Sequence, residues 1–504
     1  MKNLSTRPFS VEWPATTTID HAQETSMRHV TSYGRIKTGK ALISLLLIAA
    51  IVAACSRQPA EAPAEQSPQR HFPSDADIQA LIQSRVDENR ATGIVVGVME
   101  ADGSTRILSA GEPGPGAQPF GPRSVFEIGS ITKVFTSILL ADMVAKGEVS
   151  LDDPVAKYLP EDEVTIPSRN DREITLLDIA THRSALPGMP DNFTPADDTN
   201  PYADYTVEQM YDFLSKHELR RDIGAAPEYS NLAVGLLGHA LARVYGGSYE
   251  DLVRERILEP LSMNNTGITL SDDMQYWLVK GHNMDGEVVA NWDIPTLAGA
   301  GALRSDMNDM LLFIAANTGP AETPLEEVMR DSHRRRNDFG ENMDIGLNWL
   351  IQRAGDDTVI WHNGGTGGYR TFAGFDPESG VGAVVLTNSN HGSDDIGLHL
   401  INSDIPLALP PEEHTEIEVS AEVLERYVGD YQLAPNFVIT VTLQDAALFA
   451  QATGQQNIPI FPESETEFFY KVVDAQITFV VDDSGAVTQL ILHQNGADMP
   501  APKQ

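Results

Sequence analysis

The chain has 504 residues, room for two or three domains and a large buried core. Asp and Glu outnumber Lys and Arg by 72 to 35, for a formal net charge of -37. A field of that sign repels nucleic acid and anionic lipid surfaces and argues against both as partners.

The single cysteine, Cys55, permits no intrachain disulfide. It closes the apolar run from Ala41 to Ala54, which follows Arg35, Lys37 and Lys40. A charged segment, a short apolar run and small residues before the cysteine describe an export signal. The run falls short of the roughly 20 apolar residues that a transmembrane helix needs. Val52-Ala53-Ala54-Cys55 resembles the bacterial lipoprotein box, which implies lipidation of Cys55 as the mature N-terminus. Met27 opens a compact basic segment, whereas residues 1–26 are long and partly acidic, so Met27 is the expected start. Residues 1–55 therefore read as an N-terminal extension and lipoprotein-type signal. Residues 56–73, rich in Pro, Ala, Glu and Gln, read as a disordered tether.

Ile78, Leu81, Ile82 and Val86 mark an opening amphipathic helix. Segments 94–99 and 105–108 read as paired strands around Ala101-Asp102-Gly103. Next comes Phe126-Glu127-Ile128-Gly129-Ser130-Ile131-Thr132-Lys133. Apolar residues at Val134, Phe135, Ile138, Leu139 and Met143 predict a helix beginning near Ser130, with Gly129 permitting the turn before it. Ser130 then lies at a helix N-terminus, and Lys133 follows one turn later on the same face. An ammonium crowded by that terminus and a partly dry cleft titrates below its ordinary value of about 10.4 and can take the serine proton. Taken alone, the pair also fits an N-cap serine with a surface lysine. Against that, no other lysine in the chain has a serine three residues before it, and the surrounding helix is apolar.

From 151 to about 291 the pattern is mostly helical, with helices expected over 207–217, 232–245 and 249–257. Pro227-Glu228-Tyr229-Ser230-Asn231 holds the one Y-x-N of the chain. A tyrosine beside a cationic lysine loses its proton more readily and can shuttle it, and Asn231 offers a donor and an acceptor to a substrate amide and to Lys133. A core tyrosine before a helix N-cap is the plainer alternative. Strands are expected over 358–361, 371–375 and 383–387, then a helix over 396–401. The first of these strands leads into Trp361-His362-Asn363-Gly364-Gly365, the one H-x-G, whose glycines admit a close substrate backbone or simply form a hairpin turn. Early and late strands imply one sheet closed by both ends of the segment, with a helical second lobe. A Pro-rich, charged break near 409–413 precedes runs at 438–443, 475–481 and 487–492, which read as a small antiparallel β-barrel-like domain over 412–504.

S-x-x-K, Y-x-N and H-x-G, each once and in this order, resemble the penicillin-recognising serine hydrolases of the class C β-lactamase and D-alanyl-D-alanine peptidase type. Leu151-Asp152-Asp153-Pro154-Val155 and Thr181-His182-Arg183-Ser184-Ala185-Leu186-Pro187 resemble family phrases, although Ala185 stands where glycine is usual. The tail, with Leu424, Tyr427 and Tyr431, resembles the accessory β domain of many such hydrolases. The resemblance covers 74–409 and implies an α/β (α+β) fold: an antiparallel sheet flanked by helices.

It implies Ser130 as nucleophile, Lys133 as proton acceptor and Tyr229 as proton donor to the leaving group. It further implies substrate contacts from Asn231, His362, Gly364 and Gly365, with the Ser130 and Gly365 N–H groups as oxyanion donors. His362 stands where β-lactamases of this class carry the lysine of K-T-G, which lowers the expectation of efficient β-lactam hydrolysis. The expected function is a D-alanyl-D-alanine carboxypeptidase or endopeptidase in the cell envelope or periplasm. The alternatives are an esterase, a weak β-lactamase, or a penicillin-binding sensor without turnover. Substrates would be small peptides, esters or β-lactams; no cofactor or metal is expected, and membrane contact only through the lipid anchor. There is no G-x-S-x-G elbow or H-E-x-x-H, and His182, His239, His282 and His399 read as scattered structural residues.

Overall fold

The computed structural model describes residues 71–504 except 320–322, 356, 411–413, 435–436, 445, 454–456, 472–474, 483 and 495–496. Cys55, the apolar run before it and the expected start at Met27 lie outside the described residues. The chain divides into two compact units, one reaching to Leu407 and one from Ala408 to Gln504.

In the first unit α1 (Asp75–Asp87) is capped by Ser74, whose side chain accepts the Asp77 N–H. β1 (Gly93–Met99) is buried at every position, because side chains pack against both of its faces. It pairs antiparallel with β2 (Thr105–Gly111), from Met99 opposite Thr105 to Gly93 opposite Gly111. β3 (Val125–Glu127) leads into a short 3₁₀ turn at Gly129–Ile131 and then α2 (Thr132–Ala145). α2 is buried on all sides over its first twelve residues, as a helix at the centre of a core must be.

The helical lobe includes α3 (Leu176–Ala180), α4 (Val207–Lys216) and α5 (Asn231–Tyr245). Capping boxes at Thr175/Asp178 and Thr206/Gln209 start α3 and α4. The helix expected over 249–257 is broken up: Tyr249–Val253, a π turn at Arg254–Leu258, then Glu259–Leu261.

β4 (Arg304–Asp306) pairs with β3 just before the turn that carries Ser130. β5 (Asn337–Gly340), β6 (Met343–Ile345) and β7 (Leu350–Ala354) are strands the sequence pattern does not announce, being short and poor in β-branched residues. Pairing makes them strands: β7 lies against β8 (Asp357–Gly365) from Leu350 opposite Trp361 to Ala354 opposite Asp357. β9 (Arg370–Phe375) and β10 (Gly382–Thr387) follow, and β10 docks beside β1. The sheet order is β2-β1-β10-β9-β8-β7-β6-β5, so early and late segments do close one sheet. α2, the helical lobe and Met307–Thr318 share one core with it; α1 and Asp394–Ile401 share a second.

The second unit is an antiparallel meander of β11 (Gly429–Ala434), β12 (Phe437–Gln444), β13 (Ala447–Ala452), β14 (Ile458–Pro462), β15 (Glu467–Phe469), β16 (Ala475–Val481), β17 (Val487–Gln494) and β18 (Ala497–Pro502). A bridge between Tyr431 and Lys503, with the Gln504 N–H donating to the Asp430 carbonyl, nearly closes it into a barrel. Side chains fill the interior: Tyr427 stacks on Phe479 at 4.2 Å, beside buried Phe468 and Leu490.

Candidate active site

Gly129 has φ +51, a conformation that suits glycine, and a Cβ there would lie 2.6 Å from the Gly365 nitrogen. The turn carrying Ser130 therefore rests directly on the end of β8. Gly364 is tighter still, since a Cβ would meet the Ile128 carbonyl oxygen at 1.9 Å and Thr371 Oγ1 at 2.4 Å. The glycines sit within the strand rather than in a turn. Among the described residues, pairing with β7 stops at Trp361, so His362–Gly365 runs on beyond that neighbour. Gly364→Ala should destabilise the protein by about 3 kcal/mol, the upper range for overpacking a rigid site, and lower activity with it. Urea unfolding of the variant checks this; an unchanged midpoint would show that the two segments separate freely.

Lys133 is fully buried (0 % exposed), and its Nζ lies 2.9 Å from Ser130 Oγ, 2.7 Å from Asn231 Oδ1 and 2.7 Å from the Ala300 carbonyl oxygen. Burial pushes its pKa well below the usual lysine value. The partners suit the neutral amine. Two of them, an amide oxygen and a carbonyl, only accept, so once neutral the amine can keep both as N–H bonds and turn its lone pair to the serine hydroxyl. Glycines in α5 make this convergence possible. A Cβ on Gly238 would come within 2.9 Å of Gly299 Cα, and one on Gly235 within 2.6 Å of Leu297 Cδ2. Close approach of α5 to the turn Ala298–Gly301 thus brings Asn231 and Ala300 to one amine.

Tyr229 stands over the same amine, with Nζ 4.8 Å from its ring centroid. Its ring lies 4.5 Å from that of His182 and 6.2 Å from that of His362. One edge remains open, the residue being 38 % exposed. Burial raises its pKa above the ordinary phenol value, opposed in part by a hydrogen bond with Ser130. The expectation of an easily ionised tyrosine is therefore reversed: water lost around the ring disfavours the phenolate and leaves a protonated donor at neutral pH.

His362 is 1 % exposed. Burial, then the Lys133 charge, lowers its pKa to about 3. Its Nδ1 lies 2.6 Å from the Asn363 carbonyl, which only accepts, so Nδ1 carries the proton and Nε2 is a bare acceptor without a partner among the described residues. A neutral imidazole supplies no fixed charge for a substrate carboxylate. The same shift bears on stability. The folded state resists protonation that the unfolded chain accepts near pH 6.5, so this contribution is complete above pH 6.5 and declines as pH falls toward 3. By pH 5 the loss is about 2 kcal/mol. The stability gap between the wild type and His362→Asn, measured by urea unfolding, should shift by that amount between pH 7.5 and pH 5; a constant gap would show that His362 titrates normally.

The structure thus gathers Ser130, Lys133, Tyr229, Asn231, His362, Gly364 and Gly365 into one cluster. It adds two groups that the sequence reading did not assign to the site. Ala300 contributes a backbone oxygen, which no side chain announces. His182, read as a scattered structural histidine, lies against Tyr229, and its place in the Thr181-to-Pro187 phrase was the available signal. His239, His282 and His399 bond elsewhere, to Tyr211, Asn388 and Ile405.

Residues 78–403 match the β-lactamase family. The chain belongs to that family. Its members are serine hydrolases, and this protein is an enzyme of that class. Residues 413–501 match a domain of unknown function (DUF3471). The D-alanyl-D-alanine-carboxypeptidase/endopeptidase AmpH of Escherichia coli K12 is 31 % identical over 346 residues, covering 64 % of this chain and 87 % of that protein. Penicillin-binding protein 4* of Bacillus subtilis is 24 % identical over 417 residues, covering 76 % and 88 % respectively. A class C β-lactamase structure from Rhodobacter sphaeroides superposes with a TM-score of 0.56 at 24 % identity, covering 66 % of this chain and 98 % of that one, and shows the fold.

Proposed function

We propose that this hydrolase is a D-alanyl-D-alanine carboxypeptidase/endopeptidase acting on cell-wall peptides through an acyl-enzyme. The observation that carries the reading is a buried amine 2.9 Å from Ser130 Oγ, with the Tyr229 ring 4.8 Å above it. Similarity to AmpH supports the substrate class. In this reading Ser130 Oγ bonds to the substrate carbonyl carbon and Lys133 takes its proton. The Ser130 and Gly365 N–H groups hold the oxyanion. The C–N bond then breaks, and the amine departs with the Tyr229 proton, which Lys133 replaces. Water repeats the steps in reverse and releases the acid. Asn231 orients the substrate amide, and His362 and Gly364 border the leaving group. Export and a lipid anchor at Cys55 would keep the enzyme in the envelope, beside its substrate.

A second reading, an esterase or weak β-lactamase, draws on the neutral His362, which offers an anionic leaving group no charge. Purified protein assayed with D-Ala-D-Ala-terminated muropeptides, p-nitrophenyl esters and a fluorescent penicillin separates the readings. Release of D-alanine is expected. Ester turnover without that release would replace the peptidase reading by the esterase, and rapid labelling with no turnover by a sensor.

A further inference from the structure

His182 is 1 % exposed, with a left-handed backbone at φ 55 that non-glycine residues seldom adopt. That conformation is held because the residue moulds the loop opposite. Its carbonyl accepts the Glu228 N–H at 2.8 Å, and its Nδ1 accepts the Ser230 N–H at 3.2 Å. These two bonds bracket Tyr229 in sequence. The same loop accepts further donors from the Y-x-N turn: Ser230 Oγ donates to the Pro187 carbonyl at 2.6 Å and the Asn231 N–H to the Gly188 carbonyl at 3.0 Å. The imidazole face then lies 4.5 Å from the tyrosine ring.

We propose that His182 is a positioning residue for Tyr229: by accepting the Ser230 N–H on Nδ1, it fixes the turn that aims the phenol at Ser130. The tautomer follows from the geometry. A backbone N–H can meet Nδ1 only if that nitrogen is bare, so the proton sits on Nε2, which has no partner among the described residues. Burial opposes a second proton on the ring, and any charge on Lys133 or His362 would oppose it further. The proposal rests on the reading of Tyr229 as the proton donor, so its test must separate the two.

The test is a double-mutant cycle on the full-length enzyme, with a D-Ala-D-Ala-terminated tripeptide as substrate. Tyr229→Phe alone should cripple kcat; full activity would overturn the reading of the tyrosine and this proposal with it. His182→Phe keeps an aromatic face and removes the Nδ1 acceptor. It should lower kcat about 10²-fold, the scale of a misplacement near 1 Å, with KM within about twofold. In the Tyr229→Phe background it should lower kcat no further. His182→Asn restores an acceptor at the Nδ1 position and should recover kcat to within about fivefold of wild type. A crippled Tyr229→Phe enzyme with additive His182→Phe losses, an unaffected His182→Phe enzyme, or no recovery with His182→Asn would each overturn the positioning role while leaving the tyrosine reading intact. Should His182→Phe fail to fold, His182→Asn decides alone: kcat within about fivefold supports the role, and a loss near 10²-fold overturns it. Should the wild type leave the tripeptide uncleaved, the peptidase reading falls and the same cycle is run on p-nitrophenyl butyrate.

Discussion

Replacing Ser130 with alanine should reduce kcat by about five to six orders of magnitude, the scale seen when an activated nucleophile is removed. The fold should survive. Ser130 is only half-buried, and its hydroxyl bonds Lys133 and Tyr229, so the stability change stays within about 1 kcal/mol. The surrounding shape is set by contacts that alanine leaves alone: Gly129 against Gly365, and Thr371 Oγ1 donating to the Ile128 carbonyl at 3.0 Å. Intact-mass measurement after exposure to a penicillin is the direct check. The wild type should gain one acyl adduct and Ser130→Ala none. An adduct on the variant would place the nucleophile elsewhere and remove the basis of the acyl-enzyme reading.

Lys133→Met should lower kcat/KM by about 10³- to 10⁴-fold, the contribution of a well-placed general base. Methionine matches the length and apolar packing of the lysine stem, so little is lost from the core around α2. What disappears is the lone pair at Ser130. Asn231 Oδ1 and the Ala300 oxygen lose a donor as well, while a buried amine that resists protonation is removed; these partly offset, leaving stability within about 2 kcal/mol. The pH profile makes the test sharper. With Lys133 as the acceptor only its neutral form takes the serine proton, so wild-type kcat/KM should rise with pH through the Lys133 titration, at values well below the ordinary lysine range. His362, already neutral above about pH 3, adds no limb between pH 5 and 8. In Lys133→Met the rising limb should vanish. A limb that persists at the same pH would assign the titration to another group.

Much of the site was legible before folding because its chemistry depends on short sequence spacings. Ser130 and Lys133 are three residues apart on a helix, and that spacing alone puts the amine within reach of the hydroxyl. Tyr229 and Asn231 flank a residue that caps α5, so their placement at a helix start was readable too. The paired strands 94–99 and 105–108 were evident from apolar runs on either side of a tight turn, and the barrel-like tail from its β-rich runs. By contrast, β5, β6 and β7 have weak local preference and exist through pairing with β8, and the tail has more strands than those runs announced. The helix over 249–257 failed as a single element because apolar spacing does not register a π turn.

The amino-acid sequence by itself determined the family, the helix that joins hydroxyl to amine, and the order of the three motifs along the chain. These are local or ordered properties, carried by side-chain type and spacing. Only the tertiary structure decided the charge states on which the chemistry turns. Lys133 is held toward its neutral form and His362 stays uncharged because segments remote from one another exclude water from around them, and the same loss of water moves Tyr229 further from ionisation. Desolvation is a property of everything packed around a group, so no spacing along the chain could have shown it.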